Sequence, residues 1–146
     1  MNVSVLISRV ALGHAPLELE APEDGYEVIS IGPGARVMSL RHATSPVSDG
    51  AILVGATAGL ETGRLTVRVS GSDADEILTR LADLERALNQ WAYTVTVEID
   101  DHTETWRCQP ANYQRGLSGT YDAAALKGGW QELTAEIPRA PRRNAY

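Results

Sequence analysis

The chain has one cysteine, no phenylalanine and only 5% aromatic residues in 146 positions. A lone Cys108 permits no internal disulfide and no thiolate cluster for zinc, so nothing here calls for an oxidising compartment or a zinc-built fold. His14, His42 and His102 stand far apart in turns and strand ends, and none has metal-ligand spacing to another His or to Cys108. Basic charge is also short. Thirteen Lys and Arg against nineteen Asp and Glu leave a net charge of −6, which argues against an extended grip on nucleic-acid phosphates. No run is apolar for long enough to span a bilayer, and the first residues lack the basic start and apolar stretch of a signal peptide. The expectation is a soluble chain with no membrane partner.

Catalytic motifs are missing as well. Gly32-Pro33-Gly34 lacks the Lys-Ser/Thr end of a P-loop and the strand-to-helix setting of a dinucleotide fingerprint, and reads as a turn. Glu98, Asp100 and Asp101 form a small acidic group, but consecutive carboxylates on a hairpin turn point apart and the spacing of a calcium loop is absent. Ser45, Ser70 and Ser72 have no nucleophile-elbow glycines around them. A hydrolase would rest only on scattered His and acidic residues. The sequence therefore predicts no catalytic site, no metal and no cofactor.

What the chain does have is Val, Thr and Ile in short alternating runs around one long helix, the pattern of a mostly β protein with one α-helix. Its length suits one domain. The run 64–70 places Leu65, Val67 and Val69 on one face, and 93–99 does the same with Tyr93, Val95, Val97 and Ile99. Between them Ile77, Leu81, Leu84, Leu88 and Trp91 recur at helical spacing, with Ala74 and Leu78 widening the stripe. Ser72 is the expected N-cap, with Asp75 at the reciprocal position of a capping box, and Glu76 is set to pair with Arg80 one turn on. The helix's charged outer face is either wet or set against a polar neighbour.

Further strands are expected over 3–8, 26–31, 36–42, 51–58, 103–109 and 130–137. Gly32-Pro33-Gly34 is placed to join 26–31 and 36–42 as a hairpin, and Gly59–Gly63 to make 51–58 the antiparallel partner of 64–70. Pro138 is expected to stop the last strand, which gives a domain over 1–137 and a basic, extended tail over 138–146. From Pro110 to Gly129 the alternation dissolves into a Gly-rich loop long enough that a compact domain should have a use for it.

The stretches Ser45–Val54, Leu65–Ser72, Trp91–Asp100 and Trp106–Tyr113, in this order around the capped helix, resemble the small tail proteins of actinobacterial bacteriophages, siphophages in type. Those proteins in turn resemble the N-terminal, ring-forming domain of distal tail proteins. The resemblance implies a tail-tube-like β-sandwich flanked by a single helix. It also implies a structural protein of the virion tail, made in the host cytoplasm, whose copies join into a hexameric ring around the DNA channel. The implied partners are further copies, the tube subunit and the tail-tip or baseplate hub, with DNA passing through the lumen unbound. The galectin-like domain that many distal tail proteins carry has no counterpart in the 146 residues. Candidate contact residues between subunits are Tyr113, Tyr121 and Leu126 in the long loop and Arg139, Arg142 and Arg143 in the tail. The competing reading is a soluble module that binds a small ligand or a host carbohydrate.

Overall fold

The structure is a computed structural model that describes residues 1–20, 22–34, 38–44, 51–58, 61–116 and 119–140; for 22, 38–44 and 51–58 only the backbone is described. Ten strands and two helices follow one another as β1 (Val3–Ile7), β2 (Leu17–Glu18), β3 (Tyr26–Gly32), β4 (Met38–Thr44), β5 (Ala51–Ala58), β6 (Glu61–Ser70), α1 (Ala74–Leu88), β7 (Tyr93–Ile99), β8 (His102–Cys108), β9 (Asn112–Arg115), α2 (Ala123–Lys127) and β10 (Trp130–Arg139). The fold is mostly β with one main helix, as the alternating runs predict. All pairing is antiparallel, along the path β2-β1-β7-β8-β10-β6-β3 with β9 added to β10, while β4 and β5 form a separate hairpin.

The long path bends over at one point. Strands β8 and β10 share one register pair, Arg139 with Cys108, flanked by the bonds Gln109 N to Pro138 O and Ala140 N to Arg107 O, whereas β10 pairs with β6 along its whole length. Val5 and Ile7 of β1, Val95 and Val97 of β7, and Trp106 of β8 share one buried cluster with Leu65 and Val67 of β6 and Leu133 and Ile137 of β10. A flat sheet cannot bring these faces together, so the path is a sandwich hinged at the β8–β10 corner. Period-two alternation fills it: every second residue of β6 and of β10 is buried.

Helix α1 carries the chain from β6 in one half to β7 in the other and adds Ile77, Leu81, Leu84, Ala87 and Leu88 to the core. Three residues of the predicted stripe do not follow it. Ala74 and Leu78 (40% exposed) lie on α1 but outside its buried face, and Trp91 is 87% exposed because the helix ends at Leu88 and the chain has already turned by then. The N-cap is Asp73 rather than Ser72. The Asp73 carboxylate accepts from Glu76 N at 2.8 Å, and the Glu76 carboxylate reaches back past the N-cap to accept from the N–H and hydroxyl of Ser72, so the cap sits one residue later than predicted with its return bond on the preceding residue. Those bonds from Ser72 hold the Glu76 carboxyl below its usual range. The Glu76–Arg80 pair forms as expected. Asp73→Ala should cost about 1 kcal/mol, read from urea unfolding, since it strips the first turn of an acceptor; a loss under about 0.3 kcal/mol would mean water replaces the cap fully.

Two predicted strand pairings, one strand end and one loop are corrected. Strand β3 pairs with β6 and not with β4, and β5 pairs with β4 and not with β6. The reason is that both edges of β6 are taken, by β10 on one side and β3 on the other, which leaves β4 and β5 to each other. The Gly32–Gly34 turn is a crossing instead of a hairpin: Gly34 has φ +78°, and a Cβ there would overlap the Thr62 carbonyl. Pro138 does not end β10. It pairs with Thr62 and accepts from Gln109 N at 2.9 Å, and the strand runs on to Arg139. Last, the stretch Pro110–Gly129 holds both β9, which pairs with residues 133–136 of β10, and α2, capped by Asp122. Asn112-Tyr113-Gln114-Arg115 is too polar to announce itself as a strand, since it pairs at an edge and buries little.

Candidate functional site

The residues singled out for chemistry stay apart. His14 and His102 are exposed on different elements, and the side chain of His42 on β4 lies outside the described residues. Asp100 and Asp101 close the β7–β8 hairpin. The Asp100 backbone has φ 50°, and this residue and Asn2 exchange hydrogen bonds, Asn2 N to the carboxylate at 2.8 Å and Asp100 N to Asn2 O at 2.9 Å. These acids serve a turn, as the spacing implies. Cys108 is buried on β8, and burial pushes its thiol up to about 12, leaving almost no thiolate at neutral pH.

The stretch 110–129 is tied down by side chains from α1. Arg115, at the end of β9, is ion-paired with Glu85 and donates to the Tyr121 hydroxyl at 2.9 Å. Gly116, at φ +64°, turns the chain where a Cβ would overlap the Thr120 carbonyl, and its N–H donates to Glu132 O at 2.8 Å. Tyr121 is 42% exposed and Leu126 is half-buried beside the buried Ala125. Tyr113 is half-buried and packs on the core edge. On the outer face of the β9–β10 pair, Asn112, Tyr113, Gln114, Thr134 and Glu136 line a shallow groove of about 260 Å³. The Glu85–Arg115–Tyr121 linkage has no sequence signal, because its members are 30 and 6 residues apart on separate elements.

Arg139 lies elsewhere than the sequence suggests. Its side chain is fully buried, ion-paired with the equally buried Glu61 and donating through Nε to Pro33 O at 2.7 Å, with its guanidinium 5.0 Å from the Trp106 ring centroid. It holds the β8–β10 corner of its own fold and is not presented to a neighbour, which corrects its place among the contact residues. A strand whose odd residues all point inward carries Arg139 inward with them, and Glu61, its register partner on β6, meets it there. Arg142 and Arg143 lie outside the described residues.

The outer face over β3, β6 and β10 is laced by charge. Arg64 faces Glu136 at 3.9 Å, Arg68 faces Glu132 at 3.5 Å, and Arg68 also lies 4.2 Å from the Trp130 ring centroid. These exposed cross-strand pairs fix register more than they add stability.

No family model matches the chain, and no curated protein matches it in sequence. Solved structures do match in shape. One is the SPP1 Dit protein, described as a paradigm of the hub adsorption apparatus in phages infecting Gram-positive hosts, with 14% identity and a TM-score of 0.58 over 95% of this chain and 50% of that one. Another is a chain of the phage P2 baseplate in its activated conformation with Ca, with 9% identity and a TM-score of 0.65 over 94% of this chain and 44% of that one. The same baseplate with Sr gives 8% identity and a TM-score of 0.65. The chain spans about half the length of these proteins. Nearly all of this chain thus aligns in shape with part of a phage hub protein and part of a phage baseplate chain, and what it shares with them is a mostly β fold with one main helix.

Proposed function

We propose that this chain is a non-enzymatic structural protein of an actinobacterial siphophage tail, made in the host cytoplasm and incorporated into the virion. Its copies join into a hexameric ring around the DNA channel, between the tail tube and the tail-tip or baseplate hub. The observation that carries this reading is the shared fold over about 95% of the chain with a phage hub protein. Two further features support it. Strands β2, β3 and β9 end the described sheet path or sit on its edge, and edges of this kind are satisfied when copies close into a ring. A net charge of −6 suits a lumen that passes DNA without gripping it.

Within the ring, the segment 110–129 makes contacts between subunits through Tyr113, Tyr121 and Leu126. Arg142 and Arg143 dock on an acidic surface of a neighbouring subunit or tail protein. Replacing residues 119–127 by a short Gly-Ser linker should leave the far-ultraviolet dichroism β-rich, since β9 and β10 remain, and should abolish rings seen by electron microscopy. The competing reading, a ligand- or carbohydrate-binding module, draws on the groove lined by Tyr113, Asn112, Gln114, Thr134 and Glu136. Rings that persist in the linker variant while binding to host cells is lost would move the weight to that reading.

A further inference from the structure

The two ends of the β1–β7–β8 half of the sandwich differ in charge while both expose apolar side chains. Ser8 N donates to Thr94 O at 3.0 Å, the Gln90 amide donates to Ser8 O at 2.7 Å, and Thr94 pairs with Arg107. This register brings the Val10 turn, Trp91 and Arg107 to one end. There Val10 is 85% and Trp91 87% exposed, next to the exposed Ala11 and Ala92. A tryptophan in water is unusual, and Gln90 holds this one in place by bonding to both Ser8 O and Ala87 O.

Cations rim the patch. Arg64, Arg68, Arg80, Arg86, Arg115 and Arg139 all have carboxylate partners. Among the described residues, Arg9 and Arg107 make no ion pair, and both lie at this end; the Arg9 Nε donates to Ala15 O. At the other end of the same strands, one strand length away, about 20 Å, the β7–β8 turn presents Glu98, Asp100 and Asp101 with Ile99 41% exposed.

We infer that the Trp91 end of one copy seats on the β7–β8 turn of a second copy, with Trp91 and Val10 against Ile99, and Arg9 and Arg107 against Glu98 and Asp101. The occupant is a second copy because the chain itself carries the matching surface: opposite charge around an apolar centre, at the far end of the same strands. Such a contact is heterologous. It closes into a ring or propagates along an axis, and any open assembly keeps one unsatisfied surface at each of its two termini, which only closure removes. The inference rests on the homo-oligomeric reading above and assigns the surfaces that meet.

The test is sedimentation velocity across concentration and salt on the full chain and its variants. Trp91→Ala should weaken self-association at least tenfold with its melting curve unchanged, because Trp91 is exposed; the pair Arg9→Glu with Arg107→Glu should weaken it as much, read well below its melt because half-buried Arg9 also loses its bond to Ala15 O. Adding Glu98→Arg and Asp101→Arg to the reversed pair should restore association, and salt should weaken the parent. Variants that assemble like the parent would overturn the contact while leaving the ring reading intact, whereas a parent that stays monomeric at every concentration would overturn both. A second measurement does not depend on the charge variants. Copies with Ala92→Cys mixed with copies with Asp101→Cys should form a disulfide heterodimer, the buried Cys108 being a bystander. Dimers of Ala92→Cys with itself, or no cross-link in assembled protein, would refute the head-to-tail arrangement.

Discussion

Arg139→Met should destabilise the fold by about 3–5 kcal/mol, measured as the shift in urea unfolding at neutral pH. The pair it breaks is fully buried on both sides, so the substitution takes the Arg139 guanidinium away from a Glu61 carboxylate that stays inside the sandwich. It also removes the donors on Pro33 O and the guanidinium beside Trp106, at the corner where the two halves of the sheet are joined. The loss should be largely recovered in the double variant with Glu61→Leu, because a buried ion pair replaced by apolar groups of similar size is near neutral. A single-variant loss below about 1 kcal/mol would place Arg139 at the surface in solution and revive its role as a contact to a neighbour.

Leu81→Ala and Leu84→Ala should each cost about 2–5 kcal/mol, because both side chains are fully buried where α1 closes the sandwich. The two residues sit in one packed cluster, so the double variant should depart from the sum of the singles. Leu78→Ala, on the same helix but 40% exposed, is the control and should cost under about 1 kcal/mol. Equal effects at all three positions, seen in thermal melts, would mean that the helix is turned differently on the sheet.

These contrasts show where sequence pattern reaches and where it stops. Alternation marks β6, β7, β8 and β10 because their inward faces meet a core, and the helical stripe marks α1 for the same reason. The pattern says which face of a strand is buried, but not which strand lies beside it. Strands β3, β4 and β5 were therefore open to wrong partners until the occupied edges of β6 excluded them. Trp91 fits the helical period by number alone, and only the end of α1 at Leu88 shows that the period has stopped. Arg139 looked like part of a basic tail because charge near a terminus is usually solvated, while its buried partner Glu61 is 78 residues away. Of the candidate contact residues, Tyr121 is exposed, Tyr113 and Leu126 are half-buried, and Arg139 is withdrawn into the core. The exposed Trp91 end carries no sequence signal, since a tryptophan at helical spacing from Leu88 has the pattern of a core residue.

Ring formation is the central claim, and mass measured by light scattering together with negative-stain electron microscopy tests it most directly. The purified chain, alone or co-produced with a tail-tube subunit and a baseplate hub protein, should give closed rings with an open centre. Their mass should be six times the 15.7 kDa protomer, about 94 kDa. A particle of 15.7 kDa at every concentration, with and without those neighbours, would contradict the account.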